Sequence, residues 1–134
     1  MLAERRDPAH EYYAAILNDR ASQTPVLVTS AQGGMNIEEV AHNDPSAIIT
    51  TPIDFEKGLA QADAEALALK LGFTTSESQK AAASTFINLY KIFKDKDATQ
   101  IEINPLAETV EGDVLWCVAL TSFPCLILKI LLSW

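Results

Sequence analysis

One stretch with helical periodicity constrains the fold of this chain more than any other part of the sequence. In TSESQKAAASTFINLYKIFKDKD, four apolar residues recur at positions i, i+3, i+4 and i+7, namely Phe86, Leu89, Tyr90 and Phe93. This spacing places them on one face of an α-helix. Ser76 and Gln79 match the two positions of a capping box at the start of that helix. A helix with one apolar face must pack against another element, so a layered fold is expected.

Short apolar runs elsewhere supply the strands for such a layer. PVLVTS (residues 25–30) is bounded by a proline and by Gly33-Gly34, and SAIITTPID, QIEINP and DVLWCV have the same short apolar character. Runs of this length between turn residues are typical of β-strands. The Gly33-Gly34 pair has no basic residue beside it, so a strand-to-helix turn is predicted there rather than a phosphate cradle.

Two further helices are predicted between these strands. GGMNIEEVAHNDP has Asn36 as an N-cap with Glu39 as its capping-box partner, and Pro45 marks its end. EKGLAQADAEALALKLGF is rich in alanine and leucine and stops at Gly72, a typical residue just after a helix. The order strand, helix, strand, helices, strand, strand predicts an α+β fold, with a mixed or antiparallel sheet and helices packed on it.

The stretch HEYYAAILNDR (His10–Arg20) is ambiguous. Ala14, Ala15 and Leu17 favour a helix. Its aromatic and β-branched residues suit a strand equally well. Local propensity alone leans towards the helix.

The segment QIEINP carries the pattern with most chemical content. Alternation along a strand directs Ile101 and Ile103 into the core and Gln100, Glu102 and Asn104 to the opposite face. Pro105 has no N–H for a ladder and predicts a sheet edge or a strand end. Carboxylate and amide oxygens two residues apart suit Mg²⁺. On spacing alone, an ordinary amphipathic edge strand is the preferred interpretation.

Charge and cysteine content exclude several classes. The chain has 134 residues, which fits one domain or part of one, and its 18 acidic and 10 basic residues give a net charge of −8. Nucleic-acid binding needs a basic face, so it is not expected. Cys117 and Cys125 lack the spacing of a zinc or redox pair, which indicates a reducing compartment.

The last residues differ in character from the rest. Residues 116–134 form a nearly apolar stretch of 19 residues whose single charge is Lys129. A bilayer core needs about 20 apolar residues, and Pro124 and Lys129 interrupt this run. A core strand or an unnatural tail is therefore preferred over a membrane span, and no membrane partner is predicted.

Three segments resemble one known family closely. NDRASQTPVLVTSAQGGMNIEEVA, AIITTPID and LYKIFKDKDATQIEINPLAETVEGDVL are similar to the β subunit of succinyl-CoA synthetase (succinate–CoA ligase), without gaps from about Leu2 to Leu115. AETVEG resembles the GDP-forming type more than the ADP-forming type. The resemblance implies that residues 1–115 are the second of two ATP-grasp subdomains that clamp a nucleotide, with residues 116–134 as a divergent apolar tail. It also implies that HEYYAAILNDR is a strand paired with PVLVTS.

The resemblance implies an activity for the parent enzyme. Succinate, CoA and a nucleoside triphosphate give succinyl-CoA, the diphosphate and phosphate, and a phosphohistidine of an α subunit carries the phosphoryl group. The implied partners are that α subunit, succinate and CoA. The implied cofactors are Mg²⁺ and GTP/GDP or ATP/ADP, and the implied site of action is the citric acid cycle of the mitochondrial matrix.

The same resemblance assigns roles to individual residues. Asn104 matches a Mg²⁺-ligating asparagine, and Glu102 matches a glutamate that meets the phosphohistidine. Glu11 matches a nucleotide-contacting glutamate. Glu4 and Arg6 lie in the matching linker strand beside the base and ribose.

The chain departs from the family at a second metal ligand. The family has an aspartate fourteen residues after the asparagine, where this chain has Val118. A three-residue turn at residues 110–112 pairs positions whose numbers sum to 222, so Asn104 is predicted to lie opposite Val118. The first ATP-grasp half and the CoA domain are also not found. The expectation is a fragment with doubtful activity of its own; the alternatives are an inert half-clamp or interaction fragment, or part of a malate- or citrate-type acyl-CoA ligase.

Overall fold

The elements of this chain form one antiparallel sheet with helices packed on it. The structure, a computed structural model, describes the backbone of residues 7–116, 119–122 and 127–129 and the side chains of residues 7–116. Within these ranges the strands are β1 (Pro8–Asp19), β2 (Thr24–Ser30), β3 (Ile48–Pro52), β4 (Gln100–Thr109), β5 (Val114–Trp116), β6 (Ala119–Ser122) and β7 (Ile127–Lys129). The helices are α1 (Ile37–Asn43), α2 (Gln61–Leu71) and α3 (Ser76–Asp95), so the predicted α+β class is confirmed.

The sheet has the strand order β3-β2-β1-β4-β6-β7, and β5 also pairs with β4. Every pairing between the described strands is antiparallel. Strand β1 therefore lies between β2 and β4, in the middle of the sheet.

The helix favoured by local propensity for His10–Arg20 is wrong, and the strand implied by the resemblance is confirmed. Five consecutive residues of β1, from Tyr12 to Ile16, are buried. Tyr12, Ala14 and Ile16 belong to the hydrophobic core, and Tyr13 and Ala15, which alternate with them on the other face, are buried as well. Pairing on both edges outweighs the mild helix preference of the alanines.

Helices α2 and α3 cover one face of the sheet and enclose the core. The four residues of the predicted α3 stripe are all buried there, which confirms the stripe. From the sheet, Ile16, Leu27 and Ile101 meet them, and Phe73 stacks on Tyr12 with ring centroids 4.1 Å apart.

The capping box of α3 is not the predicted one. Thr75, in an extended conformation, is the N-cap, and its hydroxyl accepts a hydrogen bond from the Ser78 N–H, while the Ser78 side chain accepts from the Thr75 N–H. The predicted pair of Ser76 and Gln79 is wrong by one position because the helix has already begun at Ser76. Gln79 Nε2 instead donates to the Phe73 carbonyl at 2.9 Å.

The two other predicted helices are present with changed ends. Asn36 caps α1 as predicted, but its side chain accepts from the Glu38 N–H at 3.0 Å. Helix α2 starts only at Gln61, because the Asp54 carboxylate accepts from the Glu56 and Lys57 N–H groups and holds the residues after β3 in a turn. Gly72 ends α2 in the left-handed conformation, as predicted.

Pro105 does not end its strand. Strand β4 continues to Thr109, and Asn104 and Pro105 together lie opposite the single residue Tyr13, with a cis peptide bond between them. This extra residue is a β-bulge, a position at which a strand accommodates proline.

The predicted hairpin register is confirmed for the described pairs on both sides of Asn104. Leu106 pairs with Trp116 and Ile103 with Ala119, and the numbers in each pair sum to 222. Val118, the predicted partner of Asn104, lies outside the described residues, as do the side chains of residues 117–134. None of the helices in the described ranges is both long and apolar enough to cross a membrane.

Candidate functional site

The first half of β4 presents its polar side chains away from the helices. Ile101 and Ile103 are buried in the core, whereas Glu102 and Asn104 are half-buried on the opposite face. The predicted alternation is therefore confirmed, and a carboxylate and an amide lie together on the face that α2 and α3 leave uncovered.

The Asn104 amide is held by the backbone of the turn between β2 and α1. Its Oδ1 accepts from the Gly34 N–H at 2.9 Å, and its Nδ2 donates to the Met35 carbonyl at 3.0 Å. Nδ2 also lies 3.5 Å from Glu102 Oε1. A backbone N–H only donates and a carbonyl only accepts, so these two partners fix which amide atom is oxygen and which is nitrogen.

The turn that holds Asn104 packs directly on β1. The Gly33 N–H donates to the Glu11 carbonyl at 3.0 Å. A Cβ on Gly33 would lie 2.3 Å from the Tyr12 carbonyl oxygen, and one on Gly34 would lie 2.6 Å from Glu11 Oε2. Gly33 therefore needs glycine, because backbone atoms of Tyr12 occupy the space of a side chain. Gly34 meets only the end of an exposed side chain, and glycine is favoured there by its φ of +69°. The predicted turn at Gly33-Gly34 is present.

Glu102 has a hydrogen-bond donor from β1. The Tyr13 hydroxyl donates to its carboxylate, and burial, together with the Glu102 charge and this hydrogen bond, raises the pKa of Tyr13 well above its usual value. The phenol consequently stays protonated over the physiological range and keeps donating. Gln100 Nε2 lies 3.4 Å from Glu102 Oε2.

The structure brings three of the predicted site residues to one turn. The exposed Glu11 carboxylate borders Gly34, to which Asn104 is bonded, and Glu102 lies beside Asn104. Glu4 and Arg6 lie outside the described residues. The grouping of Glu11, Glu102 and Asn104 depends on the β1–β4 pairing, which joins residues about ninety positions apart.

The oxygen donors suit a Mg²⁺ site that water and phosphate oxygens complete, rather than one formed by protein side chains alone. No group of three or more His, Cys, Asp or Glu side chains within the described residues could hold a metal by itself. An amide oxygen has two lone pairs, and the Gly34 N–H occupies one of those on Asn104 Oδ1. The other lone pair and the Glu102 carboxylate remain as oxygen donors. Mg²⁺ commonly takes one or two protein ligands and completes its shell with water and phosphate oxygens.

Glu108 is a buried carboxylate that the sequence did not single out. It is only 1% exposed, and it accepts hydrogen bonds from the Thr74 N–H at 3.0 Å, the Thr74 hydroxyl at 2.8 Å and the Tyr12 hydroxyl at 3.2 Å. The Ser78 hydroxyl also contributes a hydrogen bond. These contacts tie β4 to the start of α3 on the helix side of the sheet, away from Asn104.

The fold and the sequence define the class of protein. The model of the ATP-grasp domain family matches residues 1–108, so this chain belongs to the ATP-grasp family.

The relatives narrow this class. The chain is 51% identical over 114 residues to the hydrogenosomal succinate–CoA ligase [ADP-forming] subunit beta of Neocallimastix frontalis, covering 85% of this chain and 26% of that protein. It is 49% identical over 115 residues to the mitochondrial succinate–CoA ligase [GDP-forming] subunit beta of Dictyostelium discoideum, covering 86% and 27%. The chain therefore spans about a quarter of the length of the curated relatives that it matches.

A solved structure supports the same fold. ATP citrate lyase from Methanothrix soehngenii, in complex with citrate and coenzyme A, superposes with a TM-score of 0.59 at 19% identity, over 89% of this chain and 25% of that one. At this identity, the likeness bears on the fold alone.

Proposed function

We propose that this chain is the second ATP-grasp subdomain of a succinate–CoA ligase β subunit and forms one wall of a nucleotide and Mg²⁺ site. The parent reaction converts succinate, CoA and a nucleoside triphosphate into succinyl-CoA, the diphosphate and phosphate, with an α subunit as partner. The observation that carries the proposal is the grouping of Glu11, Glu102 and Asn104 at one glycine turn, in a chain about 50% identical to such subunits.

The family resemblance suggests a role for each residue. The Asn104 Oδ1 would hold Mg²⁺, which when bound neutralises phosphate charge. Glu102 would orient the imidazole of the α-subunit phosphohistidine and balance its charge, with Tyr13 keeping the carboxylate in place. Glu11 would contact the nucleotide, and Glu4 and Arg6 would border its base and ribose. Because relatives are mitochondrial or hydrogenosomal, the mitochondrial matrix is the proposed compartment.

A titration of the purified chain with Mg-GDP and Mg-ADP, with and without an α subunit, tests the proposal. We expect binding tighter than about 1 mM, which is roughly −4 kcal/mol. Asn104→Ala should weaken binding at least about tenfold, or roughly 1.4 kcal/mol, because it removes the amide oxygen.

The matched control is Asn88→Ala, on the exposed face of α3, which should bind like the unchanged chain. If neither nucleotide bound below about 1 mM under any condition, the chain would be an inert half-clamp. Equal losses in both variants would remove Asn104 from the site.

A further inference from the structure

The turn between β2 and α1 contacts both strands that carry the proposed site. Its Gly33 N–H is bonded to the Glu11 carbonyl of β1 at 3.0 Å. One residue later, the Gly34 N–H is bonded to the Asn104 side chain of β4 at 2.9 Å, and Met35 accepts from the same side chain at 3.0 Å. The amide of a proposed metal ligand is thus held at both of its polar atoms by the backbone of one turn.

We propose that the Gly33–Met35 turn is a positioning element that fixes the amide orientation of Asn104, so that Oδ1 stays available to a divalent cation and Nδ2 is directed to Glu102. The inference rests on the proposed function for the identity of the ligand, and on the two backbone hydrogen bonds for the orientation.

The orientation matters because the two ends of an amide have opposite electrostatic character. The oxygen can bind a cation, whereas the NH₂ group repels it. A free asparagine side chain can rotate between the two orientations. In this turn, a rotated amide would set NH₂ against the Gly34 N–H and oxygen against the Met35 carbonyl, losing both hydrogen bonds. It would also turn oxygen towards the Glu102 carboxylate, 3.5 Å away.

The backbone conformation of the turn explains why glycine is needed for this contact. Gly34 has φ of +69°, in the left-handed region, and its missing side chain leaves room for the Glu11 carboxylate. Any other residue raises the energy of this conformation, asparagine least. Gly34→Ala should therefore shift the turn and release the Asn104 amide.

The test compares Gly34→Ala with Gly72→Ala in the full chain. Gly72 also has a left-handed φ, of +99°, but a Cβ there meets nothing within 4 Å, and it ends α2 away from the site. Both variants carry the same kind of backbone strain. Mn²⁺ affinity by electron paramagnetic resonance and the exchange of the Asn104 side-chain NH₂ protons by NMR are measured for each, together with Tm.

We expect Gly34→Ala to weaken Mn²⁺ binding about fivefold or more and to speed exchange of the Asn104 NH₂ protons, with a loss of Tm similar to that of Gly72→Ala. Gly72→Ala should change only the Tm. Gly34→Asn, which adopts the left-handed conformation more readily, should recover most of the Mn²⁺ affinity and also serves if the alanine variant does not fold.

Two results would overturn the inference. One is Asn104 NH₂ exchange in the metal-free chain as fast as that of the exposed Asn88. The other is an equal effect of the two alanine variants on Mn²⁺ binding. If the unchanged chain bound no Mn²⁺ but its slow exchange was lost only in Gly34→Ala, the positioning role would stand and the metal assignment would fail.

Discussion

Glu108 is charged although it lies inside the protein. Burial raises the pKa of its carboxyl, but the hydrogen bonds from Ser78, Thr74 and Tyr12 outweigh burial and hold that pKa below its usual value. A carboxylate is acceptor-only, so it matches an environment made only of donors. Hydrogen bonds to a charged group typically contribute about 1.5–3 kcal/mol each.

We predict that Glu108→Gln lowers the free energy of unfolding by about 2 kcal/mol at pH 7. The glutamine NH₂ group would face Thr74 and Tyr12 groups that donate hydrogen bonds, so it could not accept from them. The folded pKa lies below the unfolded one, so the unfolded chain binds the proton first. The contribution of Glu108 is thus complete above the ordinary pKa of 4.5 and is lost as pH falls through the lower folded value. In urea unfolding between pH 7 and pH 3, the free energy of unfolding should fall less steeply with decreasing pH for the variant than for the unchanged chain.

The control for this prediction is Glu56→Gln, which removes an exposed carboxylate. It should leave both the stability at pH 7 and its acid dependence close to those of the unchanged chain. If the stability of Glu108→Gln fell with pH as steeply as that of the control, Glu108 would not be the source of the acid dependence.

The bulge in β4 explains why the sequence revealed Glu102 and Asn104 but not Glu108. Up to Ile103, alternation is regular, so the predicted faces are correct. The extra residue at Pro105 then reverses the alternation, and Leu106 and Glu108 face the helices where a regular strand would turn them outward. The donors to Glu108 also come from Thr74 and Ser78, about thirty positions away, so nothing nearby in the sequence indicates them.

At the scale of elements, the start of α3 offers a direct comparison of two neighbouring positions. We predict that Thr75→Ala lowers the free energy of unfolding by about 1–2 kcal/mol, because the Ser78 N–H loses its acceptor. Ser76→Ala, at the position that the sequence suggested as the cap, should change it by no more than about 0.5 kcal/mol. Urea midpoints at unchanged m-value give both numbers. Equal losses would place the cap of α3 elsewhere.

Elements with a regular spacing of apolar residues were predictable from the sequence. Elements that depend on hydrogen bonds to other parts of the chain were not. The α3 stripe repeats over two turns and needs no neighbour to be recognised. Strand β1 is a strand because β2 and β4 hydrogen-bond to both of its edges, information absent from HEYYAAILNDR itself. The start of α2 depended on the Asp54 side chain, whose turn competes with an otherwise helical composition.

At the scale of the molecule, the residues of the candidate site lie together because β1 and β4 are adjacent. Ile16 pairs with Ile101, and this pairing carries Glu11 and Asn104 to the same turn. Local patterns predicted strands, helices and one hairpin register, and the family resemblance added the pairing of β1 with β2. The adjacency of β1 and β4 was not predicted from the sequence. Non-local pairing is set by which apolar faces fit together, and periodicity along the chain contains no record of it.

The net charge of −8 predicts opposite salt dependences for the two proposed ligands. Raising ionic strength from about 0.01 M to 0.15 M shortens the Debye length from about 30 Å to about 8 Å. Mn²⁺ is attracted by the acidic chain, so its affinity should fall several-fold over this range, whereas the anionic Mg-ADP complex is repelled, so its affinity should hold or rise. Isothermal titration at the two salt concentrations measures both affinities. The same titration with Asn104→Ala gives the salt dependence of Mn²⁺ that is bound only to surface carboxylates. A fall in Mg-ADP affinity as steep as that for Mn²⁺ would mean that cationic side chains beside the phosphates, rather than the charge of the whole molecule, govern nucleotide binding.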